Sequence, residues 1–360
     1  MFRKAKTYVY LRAYLRNNLG DDMFVRYIAE KYPDVTFKIC TSSKYAQPFV
    51  KQTNIKNISR LGFFADRVCN KFIGKQVCRK YIETNAQATV HIGGSIFIEP
   101  ENFTYSQKVF SNSNLFIIGC NFGPYKTREY RDFVFSTLQK ATDVCFRDRY
   151  SYEEFSELRH ARIAPDILFG YPGYPNTKKG VGVGISVIDP AVHSDLEHIA
   201  DSYYFTIAKM IDNYAKNGVP VKLFVFCKDE GDGNAVSEIM MRCETNEAEI
   251  CEYSGDIDAT LDQLNSCEYI VASRFHAMII GWCLSKKVFP VIYSNKQLNV
   301  IDDVNYPGPY WDLREKLECT ADSIIYSVHK AESFDVDEYR WYSKRHFDKF
   351  GDYLKKSMLI

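Results

Sequence analysis

Short apolar runs alternate along this chain with longer stretches whose apolar residues recur at helical spacing. Residues 7–11 form the first run, a polar turn follows at 17–22, residues 23–31 have helical spacing, and 35–40 form a second run. Strand, turn, helix and strand in this order make one βαβ unit, which implies a parallel sheet. The stretch 44–87 has weaker patterning and is interpreted as helices and loops.

Three further apolar runs in the first half end in glycine-rich or polar tips. Each run leads directly into its tip: 88–92 into Gly93-Gly94-Ser95, 115–118 into 119–124, and 144–146 into Arg147-Asp148. In a doubly wound sheet such tips gather at the carboxyl edge, where ligands bind. Adjacent glycines let a backbone approach a ligand closely, although a tight turn has the same requirement.

The second half repeats this alternation after a stretch rich in glycine and proline. Strands are predicted at 181–188, 221–226, 269–272 and 288–293, and helices at 199–217, 236–243, 257–265, 321–331 and 336–356. The fold class is therefore α/β, with two Rossmann-like, doubly wound domains. The predicted boundaries are 1–169 for the first domain, 170–179 for the linker, 180–332 for the second domain and 333–360 for a C-terminal helix. Whether that charged helix crosses back onto the first domain is left open.

Composition narrows the functional classes without naming one. The chain has 360 residues, 46% of them hydrophobic and 25% charged, with a net charge of +1. This length suits two domains, and the charge argues against a nucleic-acid or acidic-membrane partner. No apolar run has membrane-spanning length, and the basic N-terminus lacks the apolar core of a signal peptide.

The eleven cysteines are scattered and include no CxxC pair. Several lie inside apolar runs, so reduced core thiols in a cytoplasmic protein fit better than a disulfide framework or a zinc site. No His, Asp or Glu cluster has metal-ligand spacing either. The sequence therefore predicts neither a metal nor a cofactor.

The most informative segment follows the run at 269–272. Ser273-Arg274-Phe275-His276 forms a polar break, after which 277–284 is apolar nearly all round. This pattern predicts a strand, a tight turn with Ser273 as helix N-cap, and a buried helix. Arg274 and His276 would then lie at a helix N-terminus that favours an anion, with a proton-transfer group beside it. Under the alternative interpretation, the arginine pairs with a neighbouring acid and the histidine is only structural.

Taken together, the motifs resemble those of the polysaccharide pyruvyl transferase family. The matching segments keep the family order from about residue 17 to 300: Asn18-Leu19-Gly20-Asp21, Gly93-Gly94-Ser95, an IGxGxGP-like segment at 118–124, Arg147-Asp148 with Ser151, Pro165-Asp166, Ser273-Arg274-Phe275-His276-Ala277, and Tyr293 with Lys296. Cys120-Asn121 stands where residues such as Gln-Gly are common, and Ser95 replaces a third glycine. Each segment is weak evidence alone, but the ordered set is specific.

The resemblance implies a GT-B-like fold with two domains facing each other across a cleft, the first on the acceptor side and the second on the donor side. It implies phosphoenolpyruvate as donor and a sugar of a glycan precursor as acceptor. The products would be a cyclic pyruvate ketal and inorganic phosphate. The acceptor sugar, the hydroxyls that are bridged, the ketal stereochemistry, the oligomeric state and any lipid link on the acceptor stay open.

Under this resemblance, His276 is the expected catalytic residue, because a histidine both gives and takes protons near neutral pH. Arg147 and Arg274 are expected to bind the phosphate and carboxylate of the donor, since a guanidinium grips oxyanions in a bidentate manner. The other expected substrate-binding residues are Phe275, Lys296, Gly20, Asp21, Gly93, Gly94, Ser95 and Asn121. For Asp21, helix capping is the alternative.

Two competing functions remain at this point. A GT-B glycosyltransferase that uses a nucleotide sugar would need an acidic residue for the ribose, and Asp302 or Asp303 offers one. A glycan-binding protein with a decayed site is disfavoured, because Arg147, Arg274 and His276 are all present. The expected localisation is cytoplasmic, with peripheral contact at the inner face of the membrane left open, and no nucleic-acid partner is expected.

Overall fold

A computed structural model describes residues 8–73, 76–104, 114–315 and 320–357. Thr7, where the first predicted strand begins, and Cys319 lie outside these ranges. The chain forms two compact units, the first from 1–15, 21–170 and 341–360, the second from 16–20 and 171–340. Residues 171–182 belong to neither helix nor strand.

The first unit is built on a parallel sheet. Its strands are β1 Val9–Arg12, β2 Phe37–Ile39, β3 Ile55–Asn57, β4 Ala88–Ile92, β5 Leu115–Cys120, β6 Asp143–Phe146 and β7 Ala161–Ile163, in the spatial order β3-β2-β1-β4-β5-β6-β7. All six residues of β5 are buried, as expected for a strand covered on both faces. The strand order reverses between β1 and β4, which places a ligand-binding crevice at their carboxyl ends.

Helices cover this sheet, and their starts follow capping chemistry. They are α1 Leu19–Lys31, α2 Arg60–Ile73, α3 Val77–Asn85, α4 Arg128–Leu138, α5 Arg149–Glu154 and, from the end of the chain, α12 Asp337–Ser343 (which ends in this unit) and α13 Asp348–Lys356. Asp148, the N-cap of α5, accepts a hydrogen bond from the Ser151 amide at 2.8 Å. The predicted Arg147-Asp148 tip is therefore the point where β6 turns into α5.

The second unit has its own parallel sheet. Its strands are β8 Val183–Ser186, β9 Val221–Val225, β10 Glu249–Glu252, β11 Tyr269–Ala272, β12 Lys287–Ile292 and β13 Trp311–Asp312, in the order β10-β9-β8-β11-β12-β13. Its helices are α6 Ala200–Lys216, α7 Asp232–Met240, α8 Ile257–Asn265, α9 Phe275–Cys283, α10 Asn295–Asp303 and α11 Ala321–Lys330. The order reverses between β8 and β11, so the crevice of this unit lies at the ends of those two strands.

The structure confirms the predicted α/β class with two Rossmann-like parallel-sheet units and differs in several elements. Helix α1 begins at Leu19, four residues before the predicted start, so Asp21 and Asp22 lie in its first turn instead of preceding it. The chain over 336–356, predicted as one helix, is divided into α12, a 3₁₀ turn at Lys344–Phe347, and α13.

Two further findings concern the predicted chemistry. All ten cysteines in the described residues are free thiols. Among the described helices, none combines the length and apolarity needed to cross a lipid bilayer.

Candidate functional site

The predicted Ser273–His276 turn lies at the crevice of the second sheet. The Ser273 amide donates to the Ser186 carbonyl at 3.1 Å, and the Arg274 amide donates to Ser186 Oγ at 3.2 Å. Ser186 is the last residue of β8, and Ala272 ends the neighbouring β11. The two switch-point strands therefore fix the backbone from which Arg274 and His276 project.

Ser273 does not cap the helix, and that prediction is wrong. Arg274 occupies the N-cap position of α9, with no side-chain capping bond. Ser273 Oγ instead pairs with the Tyr203 hydroxyl at 2.9 Å, and its carbonyl accepts from Gln297 Nε2 at 3.1 Å. Ser273 is completely buried, so its hydroxyl satisfies an interior partner and ties the turn to α6 and α10.

The Arg274 guanidinium is held by two carboxylates. Its Nε donates to Asp232 Oδ2 at 3.1 Å, its Nη2 donates to Asp232 Oδ1, and its Nη1 donates to Glu230 Oε2. Burial alone would lower the pKa of Arg274, but these two acids raise it above the usual arginine value. The acid-pairing alternative for Arg274 is thus observed, while its contact with a donor anion stays a prediction.

The two carboxylates differ in what surrounds them. The Asp232 side chain is 0% exposed and also accepts from the Phe226 and Cys227 amides, each at 2.9 Å. The Glu230 side chain is 31% exposed and accepts from Asn18 Nδ2 at 3.0 Å. Burial would raise the pKa of Glu230, but Arg274 and Asn18 together lower it. Asp232 is therefore a fixed interior partner of Arg274, and Glu230 is the partner that solvent and solutes can reach.

Gly20 of the Asn18–Asp21 motif packs against the His276 ring of the same turn. A Cβ atom on Gly20 would lie 1.7 Å from His276 Nδ1 and 2.2 Å from its Cγ. The Leu19 amide donates to the Phe226 carbonyl at 3.2 Å, which holds this segment against the end of β9. The His276 ring can therefore occupy this position only because residue 20 has no side chain. This packing explains the glycine without the predicted contact between Gly20 and substrate.

Four basic side chains gather around two aromatic rings at the carboxyl ends of β8, β11 and β12. We call them the basic cluster: His193, Arg274, His276 and Lys296, with the rings of Phe275 and Tyr293. The Lys296 ammonium lies 6.0 Å from the Phe275 ring centroid and 5.3 Å from that of Tyr293, and the His193 ring lies 5.5 Å from the Tyr293 ring. The structure thus brings the predicted residues of the second half together and adds His193.

The half-buried position of His193 and the charges near it change the pKa of its ring. Burial lowers the pKa of His193, and the positive charges of Arg274 and Lys296 lower it further, whereas Asp195 and Glu230 act in the opposite direction. The neutral imidazole, which accepts protons, is therefore favoured near neutral pH.

Arg147 lies in the first unit, in a comparable buried pair. Its Nη1 donates to Asp166 Oδ2 at 3.0 Å and its Nη2 to Asn121 Oδ1 at 2.7 Å, with only 2% of the side chain exposed. A Cβ on Gly94 would lie 2.3 Å from Arg147 Nη1. Gly94, Asn121 and Arg147 are therefore together, as the motifs predict, but the contacts that hold them are within the protein. Donor binding by Arg147 and Asn121 stays a prediction.

The other residues predicted for the first half lie beside this pair. Gly93 has φ +153°, and a Cβ added there would be 3.6 Å from Asp21 Oδ1, an ordinary contact. Ser95 is exposed. Asp21 is half-buried in the first turn of α1, where the helix dipole favours a carboxylate. Substrate contact by these residues stays a prediction.

Sequence reasoning missed His193, Glu230 and Asp232. Glu230 and Asp232 come shortly after β9, and His193 follows β8 by way of an Asp-Pro turn. The rule that singled out the tips of the first half points to the loops after these strands, but none of the three residues directly follows its strand, so the rule does not pick them out individually. Within the described residues, no group of three His, Cys, Asp or Glu side chains is arranged to hold a metal ion.

Comparison with known proteins agrees with the motif order. A family model described as polysaccharide pyruvyl transferase matches residues 18–295. No curated protein sequence matches the chain in a direct comparison.

Solved structures show the fold. The Methanocaldococcus jannaschii UDP-GlcNAc 2-epimerase, in complex with UDP-GlcNAc and UDP, is 9% identical with a TM-score of 0.57, covering 98% of this chain and 99% of that one. Anabaena HepE, in complex with UDP and glucose, is also 9% identical, with a TM-score of 0.52 and coverage of 98% and 99%. At such identities the likeness concerns the two-domain, GT-B-like fold alone.

Proposed function

Because the chain belongs to the polysaccharide pyruvyl transferase family, we propose that it transfers the pyruvyl group of phosphoenolpyruvate to a sugar residue of a glycan precursor. Two hydroxyl groups of the sugar become bonded to the central carbon of the donor, which forms a cyclic ketal. The enol oxygen leaves with the phosphorus as inorganic phosphate, and the methylene carbon gains one proton to become a methyl group.

The observation that carries this proposal is the basic cluster at the switch point of the second sheet. Phosphoenolpyruvate is a small, multiply charged anion, and the crevice at strand ends is where a doubly wound sheet binds ligands. The Lys296 ammonium lies near two aromatic rings, 6.0 Å from the Phe275 centroid and 5.3 Å from the Tyr293 centroid. It supplies a cation for the leaving phosphate.

Arg274 contributes from a fixed position. Its hydrogen bonds to Asp232 and Glu230 use three of the five N–H groups of a guanidinium. The two others remain for a donor oxyanion, and the half-exposed Glu230 is the contact that such an anion would replace. The ion pair with Asp232 keeps the planar group oriented before the donor arrives, which reduces the entropy lost on binding.

His276 transfers the proton to the methylene carbon in this scheme. Its ring is positioned by the absence of a side chain at Gly20 and by the N-terminal turn of α9. The Phe275 ring lies 5.0 Å from the His276 ring at 84°, so an aromatic edge restricts its rotation. A general acid held in this way contributes about 10²–10⁴-fold to the rate.

The nucleotide-sugar alternative finds less support in the second unit. Helix α10 begins at Asn295, next to the basic cluster, and Asp302 and Asp303 lie at its other end. Seven or eight residues of helix correspond to about 11–12 Å along the axis. Neither aspartate therefore stands at the carboxyl edge of the sheet, where a ribose would be held.

The test is release of phosphate from phosphoenolpyruvate across a panel of glycan acceptors, with calorimetry of the donor alone. We expect donor binding in the absence of acceptor and phosphate release with a subset of the panel. Thermal shifts with UDP-sugars serve as the competing arm. Stabilisation by nucleotide sugars, with no binding of phosphoenolpyruvate, would contradict the proposal.

A further inference from the structure

His193 is held in place by its own backbone. It follows the 3₁₀ turn Pro190–Val192, which Asp189 caps by accepting from the Ala191 amide at 3.1 Å. The His193 amide donates to the Pro190 carbonyl at 3.1 Å, and its carbonyl accepts from the Leu196 and Glu197 amides at 2.8 and 2.9 Å. The side chain is therefore presented to the end of β12 by a fixed loop.

The His193 imidazole is half-buried and has few competing contacts. Among the residues that the structure describes, neither ring nitrogen makes a hydrogen bond or an ion pair, and the one ring neighbour is Tyr293 at 5.5 Å. A histidine whose role is only structural usually has at least one nitrogen satisfied, as His346 Nε2 is by the Pro165 carbonyl at 2.8 Å.

We propose that His193 is a second proton-transfer residue, which takes the proton of the sugar hydroxyl that attacks the donor. This inference rests on the proposed function. It supplies the base for the first step, in which His276 acts as the acid and cannot also accept a proton. The two histidines stand on different loops of one sheet edge, one after β8 and the other after β11.

The proton balance closes over the two steps. In the first, a C–O bond forms between the hydroxyl oxygen and the central donor carbon, His193 receives the hydroxyl proton, and His276 gives a proton to the methylene carbon. In the second, the other hydroxyl forms its C–O bond as the C–O bond to phosphate breaks. The now neutral His276 takes that hydroxyl proton, and His193 returns its own to the departing phosphate. Both residues end in their starting state.

The surroundings of His193 suit the base role. The charged groups that face it are Arg274 and Lys296, which favour the neutral ring, and Asp195 and Glu230, which oppose them. A bound phosphoenolpyruvate would add negative charge and raise the proton affinity of the ring as the reaction begins. A base whose pKa moves toward the working pH is the efficient arrangement.

The chain offers a matched control in His329. Its ring lies 5.0 Å from the ring of Tyr269, which resembles the 5.5 Å contact of His193 with Tyr293. Tyr269 begins β11, however, whereas Tyr293 follows β12, and these strands are parallel. His329 therefore also contacts a tyrosine ring, edge-on where His193 is tilted, at the opposite edge of the same sheet.

The experiment compares His193→Gln with His329→Gln. We expect His193→Gln to bind phosphoenolpyruvate within about threefold of the wild type by calorimetry, because Arg274 and Lys296 remain. Its kcat should fall by about 10²-fold or more. In the wild type, kcat/KM should fall as pH drops through the pKa of His193, below its ordinary value, and this acid limb should be absent in His193→Gln. His329→Gln should keep both rate and profile.

A second measurement needs no acceptor. In ¹⁵N-histidine-labelled protein, phosphoenolpyruvate should raise the pKa of the His193 ring and leave the resonances of the His329 ring in place. A folded His193→Gln protein with native turnover and an unchanged acid limb would overturn the inference. The inference would also be overturned if calorimetry detects donor binding but the pKa of the His193 ring does not change. In both cases the proposed function stands. A wild-type protein that does not bind phosphoenolpyruvate overturns the function and this inference together.

Discussion

Removing Asp232 should destabilise the second unit far more than neutralising Glu230, although both carboxylates bind Arg274. Asp232 is 0% exposed, grips the guanidinium through two oxygens and accepts two backbone amides. Asp232→Ala leaves a buried arginine with one partly exposed partner, and leaves two amides without their acceptor. Breaking a buried ion pair from one side costs about 3–5 kcal/mol.

The Glu230 change is the matched comparison. Glu230→Gln keeps a side chain that can still accept from Asn18, and the lost charge is 31% exposed and therefore screened. An expected cost of about 1 kcal/mol or less follows for such a pair. The difference between the variants thus combines the burial of the Asp232 ion pair with the loss of its two backbone hydrogen bonds.

Urea unfolding followed by tryptophan fluorescence suits this comparison. Trp282 is completely buried and Trp311 is 8% exposed, both in the second unit, while Trp341 is 64% exposed and will change less. As a control, Arg274→Met together with Asp232→Leu should be more stable than Asp232→Ala, because no buried charge is left uncompensated. Equal free energies of unfolding for Asp232→Ala and Glu230→Gln would refute the assignment of Asp232 as the structural partner.

Two further predictions concern Gly20 and His346. Gly20→Ala should displace the His276 ring, since the new Cβ would lie 1.7 Å from its Nδ1; we expect lower kcat with the donor Kd little changed, and a native kcat would contradict it. His346 is buried, and burial lowers its pKa to about 3, so the unfolded chain takes up a proton between pH 6.5 and 3 that the folded protein does not. Stability should therefore fall with decreasing pH across this window by up to about 1.4 kcal/mol per unit, and His346→Phe should show a smaller slope in urea titrations; identical slopes would exclude His346 as the cause.

The sequence predicted the long, strongly patterned elements and missed the short ones. Strands such as β4, β5 and β11 are continuous apolar runs because both faces are covered, so their pattern alone identified them. β3 has no fully buried residue, β10 has one, and β13 has only two residues. All three are edge strands that pair only with the preceding strand of the chain, and an edge strand with so few buried side chains has little apolar pattern to identify it.

The candidate site was predicted as a set of positions, but its contacts were not. Ser273 has the right residue type for an N-cap, yet the hydroxyl of Tyr203, seventy positions away, is its partner. Arg274 likewise binds Asp232 and Glu230, which follow β9 in the chain. Strand-end placement follows from local pattern, whereas the choice among polar partners depends on which strands are neighbours in the sheet.

The two acids that hold Arg274 offset the permanent positive charges of the basic cluster. Arg274 and Lys296 are two cations, and Glu230 and Asp232 are two anions, so these four groups carry no net charge. The whole chain carries only +1. On the proposed function, a long-range field would therefore contribute little to donor binding, and we expect the remaining N–H groups of Arg274, the ammonium of Lys296 and the two imidazoles to match the donor oxygens in position. Small shifts of a ring, such as that expected from Gly20→Ala, should then matter more for turnover than changes in surface charge or ionic strength.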